Sequence, residues 1–295
     1  MTTPWRIVDL TEFNGEIYAG QGHLKVGDQN AALDDVIAVL FGTKCLIHSS
    51  VFDRAAAYGV VLLHCNWAFE PLSATSTWSD NSRVAARQIA QANLEVPRQK
   101  NAWMRIVKAK IKGQAYNMRA IGDAKAFKYL FELAESTRSG DPANNEGQAA
   151  RYYWRRIFSD TSFRRLPGSK TPFNSQLNYG YTILRARVLR SILEAGLWPT
   201  MGIWHSNRSN TFALADDLIE PFRPAVDLIV RSTGGRDMSR ETKKDLAGVL
   251  ELTLRSSEYT LSSEVTKFCQ RFANYVEGKE KFLSVPVFGG EYEEA

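Results

Sequence analysis

Histidine and cysteine are scarce in this chain, 4 and 3 among 295 residues. Cys45, Cys65 and Cys269 are odd in number and show no CxxC spacing. They read as reduced, mostly buried thiols of a cytoplasmic protein, which sets aside a zinc centre and a disulfide frame. Long apolar runs are also missing. The stretch Val60 to Leu63 is far short of the roughly 20 apolar residues a bilayer span needs, so no membrane partner is expected. The opening MTTPWRIVDLTEFNGEIYAG lacks a basic start followed by an apolar core and predicts no secretory signal. No internal repeat and no low-complexity segment interrupts the rest.

What is present suits a globular protein of about two domains. Up to about residue 72, short β-favouring runs dominate: Trp5 to Val8, Glu16 to Tyr18, His23 to Val26, Val36 to Phe41, Cys45 to His48 and Val60 to Cys65. Glycines punctuate them, and Ser50 is placed to cap a short helix running to Tyr58. His23, His48 and His64 lie in or beside these strands and read as structural. Residues 73–82 (SATSTWSDNS) are polar and read as a linker. From 83 to 295 the spacing is helical, with segments at Val84–Asn93, Asn101–Lys112, Ala124–Thr137, Asn144–Ile157, Gln176–Glu194, Thr211–Glu220, Ala225–Arg231, Arg240–Arg255 and Ser263–Val276. The expected class is α+β: a small β-sandwich-like domain over 1–72, then a larger all-α domain.

Net charge is +5, but positive charge is concentrated. Arg98 to Lys128 holds nine Lys/Arg against Asp123, and Arg151 to Arg190 holds nine against Asp160. Together these segments carry +16 and the remaining 224 residues −11. The second segment interleaves arginine with Tyr152, Tyr153, Trp154, Phe158, Phe163, Tyr179 and Tyr181. Arginine and aromatics beside carboxylates suit a phosphodiester substrate, because phosphate is repelled by acids unless cations intervene. Nucleic acid is the expected partner, with Arg151, Arg155, Arg156, Arg164, Arg165 and Arg223 as candidate contacts.

The remaining histidine, His205, precedes Asp216, Asp217 and Glu220 in HSNRSNTFALADDLIEPFRP. Spacings of three and four put these carboxylates on one face of a helix, and apolar neighbours would half-bury that helix. Buried carboxylates need a partner, and a cation is the simplest one. His205 brought onto that face would complete a site for Mg²⁺ or Mn²⁺; a solvated helix start is the alternative. Trp204, beside His205, reads as core in preference to a base-stacking platform. Glu146, by itself, reads as a helix-start acid favoured by the dipole.

At LNYGYTILRA (Leu177–Ala186) and GIWHSNRSNTFALADDLIEPFRP (Gly202–Pro224) the sequence strongly resembles CRISPR-associated protein one, Cas-one, over essentially the whole chain. Pro-Phe-Arg-Pro after the acidic helix resembles the type II branch, whose systems use the Cas-nine effector. The resemblance implies a prokaryotic, dimeric, metal-dependent DNA integrase and endonuclease of spacer acquisition. It would insert captured fragments into the repeat array by attack of a DNA 3′-hydroxyl. Implied metal ligands are Glu146, His205 and Glu220, the last standing where many relatives carry aspartate. Asp217 matches a nearby acidic position, an outer or alternative ligand. Asn178, Tyr179 and Arg223 fit a supporting shell or phosphate clamp, with helix packing or capping as the alternative. Implied partners are prespacer and repeat duplexes, the small Cas-two subunit, Cas-nine and other type II adaptation proteins. The hairpin from Glu16 to Val26 is expected to help form the homodimer. A stand-alone nuclease on branched DNA, a transposon integrase and a non-catalytic DNA-binding subunit remain alternatives. Glu220→Ala is expected to leave the fold intact.

Overall fold

Val36–Phe41 and Val61–Cys65 are apolar along nearly their whole length, the pattern of strands covered on both faces. The computed structural model describes residues 6–75, 82–158, 162–205, 207, 209–254, 258–291 and 293. In chain order the strands are β1 (Arg6–Leu10), β2 (Gly15–Gly20), β3 (His23–Val26), β4 (Gln29–Ala32), β5 (Val36–Phe41) and β6 (Cys45–Ile47). Helix α1 (Ser49–Ala57), β7 (Val61–Cys65) and β8 (Pro71–Thr75) complete the β-rich part. One sheet runs β1-β5-β7-β8, with β1, β5 and β7 parallel and β8 antiparallel at the edge. The other runs β4-β3-β2-β6.

The central strands face two cores. Val36, Val39 and Leu62 pack with Ile17 and Leu24 of the second sheet. Ile37, Leu40, Val61 and Leu63 point the other way, into the core that the helices share. The apolar interior therefore crosses the expected domain boundary without a break.

The helices are α2 (Val84–Ala92), α3 (Val96–Ala120), α4 (Ala124–Ser136), α5 (Asn145–Trp154) and α6 (Pro172–Glu194). After them come α7 (Ala213–Leu218), α8 (Arg223–Thr233), α9 (Arg240–Ala247) and α10 (Leu261–Val276). Helix α6 is buried on nearly every side and packs on β5 and β7 as well as on α7, α8, α9 and α10. The α+β expectation, strands first and helices after, matches this architecture.

Several local readings change. Ser73 to Thr75, expected in the linker, belong to β8, while 76–81 lie outside the described residues. Strand β4 was not expected, because Gln-Asn-Ala-Ala carries no β-favouring residue. Its pairing to β3 comes from the turn at Gly27, whose φ is +57°. Helix α1 is capped by His48, whose Nδ1 accepts from Ser50 N at 3.2 Å, not by Ser50. Helix α3 starts five residues earlier than expected, since Pro97 sits in the first turn, where its missing N–H costs nothing.

Helix α8 lies in a notch between two glycines. A β-carbon on Gly113 of α3 would lie 2.8 Å from Pro224 Cγ, and one on Gly180 of α6 would lie 2.5 Å from Val226 Cγ1. Gly180→Ala should therefore lower stability by about 1–3 kcal/mol through overpacking, although alanine is favoured over glycine in a helix by about 1 kcal/mol. Thermal unfolding of the single variant, and of the double variant with Val226→Ala, checks this. The second change should return part of the loss.

Candidate active site

Glu146 is placed by a tight loop. Asn144, in the left-handed region at φ 52°, caps α5 by accepting from Gly147 N at 3.1 Å. Asp141 accepts from Asn145 N and Glu146 N at 2.8 and 3.0 Å. Glu146 then projects from the first turn of α5 toward α3. There the Lys110 Nζ donates to its Oε1 at 2.7 Å.

Glu220 arrives from another direction. The expected helix over 211–220 ends at Leu218, and Glu220–Phe222 forms a 3₁₀ turn around Pro221. Asp216 and Asp217, adjacent on α7, point about 100° apart, and the change of pitch after Leu218 takes Glu220 off their helix. Asp216 pairs with Arg185 at 2.6 Å. Asp217, fully buried, accepts from the backbone of Trp204 at 3.0 Å and from the His205 ring at 2.6 Å. Glu220 meets Lys110 at 2.5 Å through Oε2 and Arg223 at 2.7 Å through Oε1. The buried acids do have cationic partners, and those partners are side chains.

Lys110 is therefore shared by Glu146 and Glu220, and nothing in its sequence context singled it out among the lysines of its segment. Burial acts to neutralise it, yet the two glutamates outweigh burial and raise its pKa. Burial likewise acts to raise Glu220, but Arg223 and Lys110 prevail and bring it down to about 2. The Asp217 hydrogen bond raises the His205 pKa, against the effect of burial. The charges of Glu220 and Asp216 push the same ring in the same direction. Among the described residues no group of three His, Cys, Asp or Glu side chains stands ready to hold an ion as they are placed. The donor set nevertheless fits a hard divalent cation: two carboxylates already bridged by one ammonium, and an imidazole whose Nδ1 is held by a carboxylate.

Trp204 is not core. It is 42 % exposed and lies flat on buried Trp103, ring centroids 5.6 Å apart and planes 4° from parallel. Tyr179 is buried and packs edge-to-face with Phe69, ring centroids 5.2 Å apart. Asn178 is buried with no partner for its Nδ2 among the described residues. Of the candidate DNA contacts, Arg223 is engaged with Glu220 and stands 4.3 Å over the Tyr181 ring. Arg165 is tied to Asn174 at 3.1 Å. Arg164 is exposed and bonds the Phe163 carbonyl. Arg151, Arg155 and Arg156 are exposed and line a surface pocket of about 420 Å³ with Tyr129, Gln148 and Tyr152. Arg156 lies 3.7 Å over the Tyr152 ring.

Residues 23–256 match the family model for CRISPR associated protein Cas1. The chain belongs to the Cas1 family. A CRISPR-associated endonuclease Cas1 from Neisseria meningitidis serogroup C (strain 8013) is 32 % identical over 237 residues, 80 % of this chain and 76 % of that protein. Among solved structures, a casposase bound to integration product aligns with TM-score 0.69 at 18 % identity, over 94 % of this chain and 92 % of that one. A Cas6-RT-Cas1–Cas2 complex aligns at 0.73 and 17 %, over 95 % of this chain and 36 % of that one. No helix among the described residues is long and apolar enough to cross a membrane.

Beneath the carboxylates of this Cas1 chain runs a buried polar layer. Asn117 donates to the Tyr153 hydroxyl and to the Pro224 carbonyl, both at 2.8 Å, and Tyr181 donates to Asp227. Burial raises the Asp227 carboxyl to about 6, against the opposing pull of the Tyr181 bond and Arg223. In the unfolded chain it titrates near about 4, so the folded state binds the proton more tightly. Its stabilising contribution is complete below about 4 and is lost as pH rises through about 6. Asp227→Asn keeps an acceptor for Tyr181 without the titration. Its stability relative to wild type should improve by roughly 3 kcal/mol between pH 4 and pH 7. Denaturant midpoints at the two pH values test this; a difference independent of pH would contradict it.

Proposed function

We propose that this chain is a metal-dependent DNA endonuclease and integrase of CRISPR adaptation. The observation that carries the reading is the meeting of Glu146 and Glu220 at one cationic position, with the His205 ring held by Asp217, three residues before Glu220. Glu146, His205 and Glu220 would hold Mg²⁺ or Mn²⁺. An ion held there would supply Lewis-acid polarisation of a phosphodiester and would lower the pKa of an incoming 3′-hydroxyl or water. The chain itself supplies the rest. Asp217 fixes which imidazole nitrogen faces the site, and Arg223 keeps Glu220 ionised. Arg151, Arg155 and Arg156 offer a landing place for phosphates. No protein nucleophile is required, and the captured fragment's own 3′ end attacks the repeat.

Duplex DNA, a second copy of the chain and a small Cas2-type subunit are the proposed partners, with Cas-nine and other type II adaptation proteins in the wider assembly. A Cas2 partner is supported by the fold neighbour that is itself a Cas1–Cas2 complex. Dimerisation is supported by the β2–β6 sheet, which leaves Tyr18 and Leu46 43 % and 65 % exposed. Joining both ends of one fragment needs two sites at fixed separation, which a two-fold dimer supplies.

The test uses Glu146→Gln and Glu220→Gln. Glu220→Ala is the less suitable variant, because it removes the acceptor oxygens that Arg223 and Lys110 use as well as the charge, whereas glutamine keeps one acceptor and Lys110 keeps Glu146 in either case. The isosteric variants should keep the fold by circular dichroism and lose strand cleavage and joining in Mg²⁺ or Mn²⁺ by at least about 100-fold, of the order of one lost charge-stabilising group. Wild-type rates from folded Glu220→Gln, or undiminished wild-type activity in EDTA, would refute the assignment.

Binding should be sequence-tolerant and fall steeply with salt. Replacing Arg155 and Arg156 together by Glu should weaken all duplexes alike. The slope of log affinity against log salt should shrink by about 1 for each phosphate that is no longer neutralised. Unchanged affinity would assign these arginines to folding.

A further inference from the structure

We propose that the open face of Trp204 is a stacking platform for one unpaired nucleobase beside the reacting phosphate. The inference rests on the nuclease reading and specifies its substrate: a strand end or locally opened strand, not continuous duplex. An indole that could have been covered is 42 % exposed at the edge of the candidate site. Its rear face lies nearly parallel on Trp103, which is 1 % exposed and cannot move aside without emptying core. Trp103 also meets the His205 ring edge-on at 5.6 Å. The backbone N–H groups of Trp204 and His205 both bond the buried Asp217 carboxylate, at 3.0 and 3.3 Å.

Platform and imidazole thus share two anchors, Asp217 below and Trp103 behind. A base stacked on Trp204 would be held at a fixed offset from His205, and its phosphate with it. Every base has a π-face, so such stacking fixes position without reading sequence. Within duplex both faces of a base are already stacked, which limits the platform to a terminal or unpaired nucleotide.

The experiment pairs protein variants with abasic DNA. Strand cleavage and joining are measured for wild type, Trp204→Ala and Trp204→Phe, on substrates carrying one abasic site at successive positions near the reacting end. Wild type should lose about 10- to 100-fold at one position only, the range expected for a single base–aromatic stack. Trp204→Ala should lose as much on intact DNA and nothing further at that position, while Trp204→Phe should recover most of the activity. Melting temperatures of the three should agree. Separately, 2-aminopurine at the sensitive position should be quenched on binding wild type without added metal, and not on binding Trp204→Ala. Quenching by wild-type protein that processes no DNA would uphold the platform and refute the nuclease reading. Intact-DNA rates in Trp204→Ala equal to wild type, losses that multiply in full with the abasic loss, or a defect confined to assembly with a protein partner would each overturn the platform.

Discussion

One ammonium group organises this site. Lys110 reaches Glu146 on α5 and Glu220 in the 3₁₀ turn, so three separate elements converge on a single charge. Two carboxylates this close would repel in a medium that screens poorly, and neither burial would be tolerable without a cation between them. Lys110 is also the first of a stripe along α3. Gly113, three residues on, receives Pro224, and Asn117, seven on, donates to the Pro224 carbonyl and to Tyr153. Residues at these spacings share one helix face. The face that supplies the charge therefore also seats the Pro-Phe-Arg-Pro segment that carries Glu220 and Arg223.

This arrangement has a chemical consequence. A metal ligand has to be deprotonated, and a buried glutamate tends to take up a proton instead. Lys110 and Arg223 reverse that tendency and hold Glu220 ionised. Asp227, one helical turn into α8, lacks a comparable ion pair and is pushed up to about 6. Two buried acids seven residues apart thus differ in how readily they ionise because of the company they keep. The more acidic one belongs to the candidate site, while the other accepts from Tyr181.

Much of the scaffold was legible in the chain. Unbroken apolar runs gave away the central strands, and helical spacing located most helices, because burial on two faces or on one stripe leaves a periodic trace. Strand β4 left none, since turn geometry rather than composition pairs it. His205, Asp217 and Glu220 stood out through their spacing; the structure bonds His205 to Asp217, whereas Glu220 meets Arg223 and, with Glu146, Lys110. Lys110 could not be read, because a lysine that ends up interior looks like its solvent-facing neighbours until α3 is packed. Trp204 was misread for the opposite reason: apolar character predicts burial on average and says nothing about one ring stacked outside another.

The same limit applies to the charge count. The basic segments sum to +16, but interior cations absorb part of it: Lys110 lies between two glutamates, Arg185 pairs with Asp216, and buried Arg187 meets Glu194. A cation paired inside the fold adds little to the potential that DNA encounters, because its partner cancels it at distances beyond the pair. The outward positive field comes instead from residues such as Arg151, Arg155, Arg156 and Arg164 on the exposed side of α5 and the segment after it. On the proposed reading, DNA attraction would have its source at the exposed end of α5 and just after it, and the helix whose first turn carries Glu146 would lead from that surface to the candidate site.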